Sequence, residues 1–443
     1  MGHHTSLEER IQIVEYEQAG LSTMETSQRL GWQPSTIRKW RNRGRKHGRK
    51  GLASKMGRPK QGALSSFPTE VRERLRHWRN SNPGWGPKTL ATEMKRDPDF
   101  TGQRLPSLAS IGRFLKEEEL TKRYERHSPL PKSTGKPASE AHEIWEMDAR
   151  GYGEVPEVGI ISLINLNDRF THLRLLSYPL QLGIHRVERH GDTEDYQTVL
   201  RLAFTDWGLP QQIHVDRDSV FYDNKSKSPY PTRIHLWLIA LGVSLTFGRP
   251  GRPTDQGQTE RSHQIWDAQS LEGQQYESWT QLYLALRERR HFLNEHLPCS
   301  ALDELPPLQA FPQARHSGRF YRPECEAQLL DLQRVYAYLA NGRWFRLISS
   351  QGTFALGGEA YYLDYHLAKC QIEIAFDAAD QHLLCFDASG ELIKRLPVKG
   401  LCIDTLMGSF LYQLNLPMFQ LHLPLDWQSR RALRLFEILP ATT

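Results

Sequence analysis

From residue 144 onward the spacing of apolar residues changes from helical to strand-like, and the order of the elements in this region restricts the fold more than any other feature. Three apolar runs come first, at 144–147, 158–166 and 171–176, joined by short turns at 151–156 and 167–169, which predicts an antiparallel meander. A helical stretch at 192–207 then leads to a short strand at 212–215. A second, at 234–241, leads to a strand at 243–247. Strands joined by turns, then strands reached through helices, predict one mixed sheet with helices on both faces.

Two carboxylates stand at the ends of these strands: Asp148 after Ile144-Trp145-Glu146-Met147, and Asp216 after Ile213-His214-Val215. A third, Glu260, sits on a helix that comes after the basic loop Gly248-Arg249-Pro250-Gly251-Arg252-Pro253. An Asp at a strand end is poorly suited to a core but well placed to reach a cleft at the sheet edge. Three oxygen donors are what a hard divalent cation requires, since Mg²⁺ and Mn²⁺ prefer carboxylates to nitrogen or sulfur. A pair of such ions, about 3.5–4 Å apart, promotes in-line attack on a phosphodiester. Asp148, Asp216 and Glu260 are therefore the candidate catalytic and metal-binding residues, with 67 residues between the first two and 43 between the last two. Arg249 and Arg252 are candidates for holding DNA phosphates beside them; solvated arginines on a Pro/Gly loop are the plainer alternative.

Charge is distributed unevenly. Residues 1–127 hold 26 Lys and Arg against 14 Asp and Glu, a net of +12, and the remainder holds 31 against 37, a net of −6. A chain that grips a polyanion with one end has this pattern. Within the basic end, Leu7, Ile11 and Val14 have helical spacing, Gly31 stops a second short element, and Pro34-Ser35 opens a third with Ile37 and Trp40. Two helices joined by a tight turn at 31–33 form a helix-turn-helix, whose recognition helix presents Ser35, Thr36, Arg38 and Lys39 to DNA. Residues 38–60 add Arg41, Arg43, Arg45, Lys46 and Arg58 among eleven basic residues with no acidic one, so binding is expected to weaken steeply with salt. Met56-Gly57-Arg58-Pro59-Lys60 resembles an AT-hook-like minor-groove arm. A second three-helix pattern spans about 68–120 around the turn Asn82-Pro83-Gly84-Trp85-Gly86.

Aromatic residues at 10% and apolar residues at 39% are enough for packed cores and argue against disorder. No run of eighteen apolar residues and no apolar signal core is present, which disfavours a membrane-spanning or secreted chain. The five cysteines are scattered and lack a Cys-x-x-Cys pair, so a reducing cytoplasm is expected.

The segments Trp145-Glu146-Met147-Asp148, His214-Val215-Asp216-Arg217-Asp218-Ser219, and Arg249-Pro250-Gly251-Arg252-Pro253-Thr254-Asp255-Gln256-Gly257-Gln258-Thr259-Glu260 resemble the integrase core of bacterial insertion-sequence transposases, a superfamily that includes retroviral integrases. The resemblance extends over about residues 5–270. It implies a ribonuclease H-like core, a catalytic triad of Asp148, Asp216 and Glu260 binding two Mg²⁺ ions with Mn²⁺ able to substitute, and cleavage and strand transfer at terminal inverted repeats. It also implies double-stranded DNA as partner, a dimer or tetramer on that DNA, no membrane, and a bacterial, nucleoid-associated location. One departure is local: the family's usual Asp-Asn-Gly-Ser is here Asp216-Arg217-Asp218-Ser219, which is expected to alter the turn and adds Asp218 as a reserve carboxylate. The polar stretch 223–231 resembles an insertion. A non-catalytic regulator derived from such an enzyme, and a structure-selective nuclease, are the alternative readings.

The expected organisation is a helix-turn-helix domain with basic arm (1–60), a second, winged-helix-like helix-turn-helix domain (61–127), a linker (128–140), an α/β ribonuclease H-like core (141–300), a small β-barrel (331–400) and a tail (401–443). The barrel is expected from short alternating runs at 335–339, 344–348, 360–363, 370–376 and 382–386, separated by turns.

Overall fold

The computed structural model describes residues 5–53, 62–121, 137–248 and 257–408, with the backbone alone for 257–260. The arm at 56–60 with Arg58, most of the linker, the loop with Arg249 and Arg252, and the tail beyond Gly408 lie outside the described residues. The chain divides into two compact units after Ser66.

The first unit holds α1 (Leu7–Gln18), α2 (Thr23–Leu30) and α3 (Pro34–Leu52). Ser6 with Glu9, and Ser22 with Glu25, form reciprocal capping boxes that satisfy the first amides of α1 and α2. Gly31 ends α2 in the left-handed region, at φ +73°, where a side chain would be strained. Pro34 then starts α3, which kinks at Gly48. Ile13, Ile37, Trp40 and Leu52 form the core.

The second unit opens with α4 (Thr69–Ser81), α5 (Pro87–Arg96) and α6 (Leu108–Glu117). These three helices pack on the sheet-containing part of the same unit through the turn at 82–86. A Cβ on Gly84 would lie 2.0 Å from the Ala268 carbonyl oxygen, so only glycine permits that approach. The Arg289 guanidinium lies 4.4 Å from the Trp85 ring centroid, donates to Gln269 Oε1 (3.0 Å from Nε) and pairs with Glu93 at 2.5 Å.

The sheet comprises β1 (Ile144–Ala149), β2 (Gly153–Val155), β3 (Gly159–Asp168), β4 (Arg174–Gly183), β5 (Gln212–Val215) and β6 (Ser244–Phe247). Its order is β4-β3-β1-β5-β6, with the short β2 beside β3. The β1–β3 and β3–β4 pairs are antiparallel; β1–β5 and β5–β6 are parallel. Helix α7 (Thr193–Trp207) links β4 to β5 and α8 (Arg233–Ala240) links β5 to β6, as parallel neighbours require. After α9 (Gly257–Trp266) comes a π-helical turn (Asp267–Leu271), then α10 (Trp279–Glu295).

The expected small barrel is not formed. Residues 335–339 belong to the helix Leu332–Ala340, where Leu332, Val335, Tyr336 and Leu339 follow helical spacing and Asp331 caps the Gln333 amide at 2.9 Å. The strands Arg343–Leu347 (β7), Gln371–Asp377 (β10), His382–Phe386 (β11) and Leu392–Pro397 (β12) form an open antiparallel sheet, ordered β12-β11-β10-β7. Thr353–Leu356 (β8) and Glu359–Tyr362 (β9) pair only with each other, so the sheet keeps two edges and does not close.

A buried ion pair ties this C-terminal part to the core. Arg201 on α7 donates to both carboxylate oxygens of Glu326, at 2.7 and 2.8 Å, and to the Met407 carbonyl at 2.8 Å. Glu326, with no exposed surface, also accepts from Trp237 Nε1 at 2.8 Å and from the Tyr321 hydroxyl. Glu326→Ala would leave Arg201 charged and unpaired in the interior. It is expected to cost about 3–5 kcal/mol of stability, measurable by denaturant unfolding.

Candidate active site

The register of β1 against β5 brings two of the predicted acids together. Ile144, Trp145 and Glu146 pair with Gln212, Ile213 and His214, a constant offset that carries Asp148 to Asp216 two residues further on. Asp148 does not end its strand. The antiparallel pairing with β3 continues through Asp148↔Asn165 to Ala149↔Ile164, while the pairing with β5 stops at Glu146. Asp148 therefore stands where the neighbouring parallel strand gives way to the turn that carries Asp216.

Tyr196 on α7 lies within the electrostatic reach of three carboxylates. Its phenol pKa is raised, first by burial and then by the negative charges of Asp218, Asp216 and Asp148. The ring packs edge-on against Phe221 at 4.8 Å. Asp216 is exposed to solvent on one side and crowded by protein on the other; burial raises its pKa, as does the charge of Asp218, against the lowering effect of the Asp218 amide, 3.1 Å from Asp216 Oδ1. Asp218 has its own task, since its Oδ1 accepts from the Val220 amide at 2.9 Å and its carbonyl accepts from the amides of Phe221 and Tyr222. No described residue between 216 and 224 has a positive φ, so the turn forms without a glycine.

Helix α9 lies against β1 and β3. Ser262 Oγ donates to Asn167 Oδ1 at 3.1 Å, and Arg174 donates to the same oxygen at 2.8 Å. His263 Nε2 is 3.8 Å from Asp148 Oδ2. Burial, and then Arg150, lower the pKa of His263 to about 4, so the imidazole is neutral at pH 7 and this approach is not an ion pair. Glu260 stands on the first turn of α9, three residues before His263 and hence on the same helical face. Glu146, two residues before Asp148 on the same face of β1, is buried and paired with Arg169 at 2.7 Å, which separates its role from that of Asp148. The raised pKa of Asp216 and a buried imidazole nitrogen of His263 without a hydrogen-bond partner fit a divalent cation beside Asp148 and Asp216.

Sequence reasoning does not single out Tyr196 or Asn165. Asn165 lies wholly buried directly opposite Asp148, and a polar residue inside an apolar strand is the signal that marks it.

In the first unit, Ser35, Arg38, Lys39, Arg45 and Lys46 are exposed on α3, with Thr36 and Arg43 half-buried. Arg45 pairs with Glu17, and the Arg43 guanidinium lies 5.2 Å from the Trp40 ring centroid. Arg41 corrects the sequence expectation. It turns inward, donating to Thr26 Oγ1 at 2.7 Å and to the Leu21 carbonyl at 2.9 Å, and so locks α3 to α2 rather than facing DNA.

Homeodomain-like family models match residues 4–53 and 36–115. Both matches fall in the N-terminal helical segments, ahead of the mixed sheet. Solved structures similar to this chain include the BIV integrase catalytic core, at 15% identity over 39% of this chain and 95% of that one, TM-score 0.27. The HTLV-2 integrase catalytic core in complex with magnesium matches at 12% over 38% and 96%, TM-score 0.27. A chain of the simian T-cell lymphotropic virus intasome, in complex with a PP2A regulatory subunit, matches at 14% over 71% and 100%, TM-score 0.30.

Two measurements check this site description. Arg38→Ala should lower the salt dependence of DNA binding by about one unit of slope, whereas Arg41→Ala should lower the melting temperature of the first unit and leave the slope unchanged. Because folding raises the pKa of Asp216, its ionisation opposes stability, which falls as pH rises through the carboxylate range. Asp216→Asn removes that fall, so thermal melts without divalent cations should show the variant gaining on the wild type from acid to neutral pH.

Proposed function

We propose that the chain is a DNA transposase that binds the terminal inverted repeats of a mobile element and carries out metal-dependent strand cleavage and strand transfer. The observation that carries this reading is the β1–β5 register, whose offset continues from Glu146↔His214 toward Asp148 and Asp216, with the helix that bears Glu260 packed against β1. The homeodomain-like segments support binding to double-stranded DNA. Exposed Ser35, Arg38, Lys39 and Lys46 on α3 are suited to base edges and phosphates, and Arg249 and Arg252 to phosphates near the acids.

Asp148, Asp216 and Glu260 would hold two Mg²⁺ ions, or Mn²⁺ in their place. When bound, such a pair lowers the pKa of an attacking water or 3′-hydroxyl and stabilises the leaving oxygen. The chain's own residues do the rest. The β1–β5 register fixes the spacing of the two aspartates, Ser262 anchors α9 to β3, and the neutral His263 adds no charge to compete with a cation. Tyr196 keeps its proton, first because burial disfavours the phenolate and then because of the negative charges of Asp218, Asp216 and Asp148. Joining two DNA ends requires two active sites, which favours a dimer or tetramer on DNA. Among the described residues no helix is long and apolar enough to cross a membrane.

Asp148→Asn and Glu260→Gln are each expected to retain DNA binding and to lose both cleavage and joining of labelled element ends in Mg²⁺. Joined products from either variant would sink the assignment. Cleavage without joining by the wild type would favour a structure-selective nuclease, and binding without either would favour a regulator.

A further inference from the structure

The stretch 223–231 has no part in the chemistry above, yet it is firmly placed. Ser228 Oγ donates to the Arg343 carbonyl and accepts from the Phe345 amide at 3.2 Å, Arg346 donates to the Ser228 carbonyl at 2.7 Å, and Tyr230 meets Trp344 edge-on at 4.9 Å. The stretch thereby joins the turn after Asp216 to the C-terminal sheet. Between them is a cleft of about 490 Å³ with Tyr222, His235, Phe247, Tyr338 and Trp344 in its walls and Arg343 at its edge.

Three properties define what this cleft suits. It adjoins the acids: Phe247 pairs in register with Val215, the residue before Asp216, and the Tyr222 amide is bonded to the Asp218 carbonyl at 2.9 Å. Its rings meet edge-on or tilted rather than stacked, with Tyr222–Phe247 at 5.2 Å and 71°, His235–Phe247 at 5.8 Å and 73°, and His235–Tyr338 at 5.4 Å and 60°. Flat ring surface is thus left for a planar guest. Cations flank it, with the Arg217 guanidinium 4.8 Å from the Tyr222 ring centroid and Lys225 and Lys227 exposed, while Asp223 in its wall pairs with Arg346 and Arg343 pairs with Glu373. A peptide side chain would use the apolar walls but not the cations; a nucleotide uses both, by stacking its base and pairing its phosphate.

We propose that this cleft holds an unpaired nucleobase of the DNA beside the phosphate being cut or joined, with Tyr338 and Tyr222 as its stacking residues. This rests on the DNA-transfer reading above. The base leaves the duplex, its flanking phosphate stays at the acids, and the lost base stacking is replaced by aromatic stacking in the cleft. Tyr338 is 45% exposed, so its truncation should not disturb the core.

The test uses the full chain and two duplexes of one sequence, one blunt and one with a short 3′ overhang carrying 5-iodouracil, which photocrosslinks to aromatic rings stacked on it. The expected crosslinked peptides contain Tyr222 or Tyr338. Tyr338→Ala should reduce the preference for the overhang duplex over the blunt one by about tenfold, with Tyr338→Phe restoring it and blunt-duplex binding by anisotropy unchanged. Tyr222→Ala provides the second variant, with melting curves to confirm its fold. Crosslinking to peptides outside the cleft, or an unchanged preference in both alanine variants while both duplexes still bind, would overturn the base-binding cleft and leave the DNA-transfer reading standing. Failure of the wild type to bind either duplex would overturn both.

Discussion

Parallel hydrogen bonding between β1 and β5 is the constraint on which the rest of the site depends. Side chains alternate along a strand, so a shift of one residue in this pairing would turn Asp148 or Asp216 to the opposite face of the sheet. The pairing is held on both sides, by β3 against β1 and by β6 against β5, and the flanking helices bury the apolar residues of both strands. A central position leaves the acids little freedom to drift. Helix α9, tied to β3 through Ser262 and Asn167, then has one seat available, and the π-helical turn beyond it is where the second helical unit rests.

The electrostatics of the site arise from crowding like charges at the border of a low-dielectric interior. Burial and then the charge of Asp218 raise the cost of ionising Asp216, and burial together with the charges of Asp218, Asp216 and Asp148 raises that of Tyr196. Asp218 sits in the turn without backbone strain, and its side chain supplies a capping bond to the Val220 amide. The turn is accommodated locally, and Asp216 keeps its station after Val215.

Much of this is legible from residue pattern because the relevant elements are short, strongly apolar and bounded by Asp, Gly or Pro. The meander at 144–176 and the two helix-linked strands have one economical arrangement, and the mixed sheet results from it. The features that escape sequence reasoning do so for physical reasons. Leu332, Val335, Tyr336 and Leu339 make a helical stripe, but Val335 to Leu339 alone also alternates, and the shorter window favours a strand. Arg41 sits in a basic run whose other described members mostly face solvent; only the packing of α2 against α3 shows that its guanidinium is needed inside. Tyr196 acquires meaning from neighbours distant in sequence, which no local pattern encodes, whereas Asn165 is marked locally only as a polar residue in an apolar strand.

The seating of the second helical unit has a geometric consequence. Gly84 and Trp85 press on the segment directly after the helix carrying Glu260, with Arg289 clamped between Trp85, Gln269 and Glu93. Any DNA gripped by α4–α6 is thereby held at a set offset from the carboxylates, as a workpiece is held against the stop of a cutting jig. The distance from a recognised sequence to the reacting phosphate would then be a property of this joint, and altering the joint would move the cut without touching either the reader or the blade.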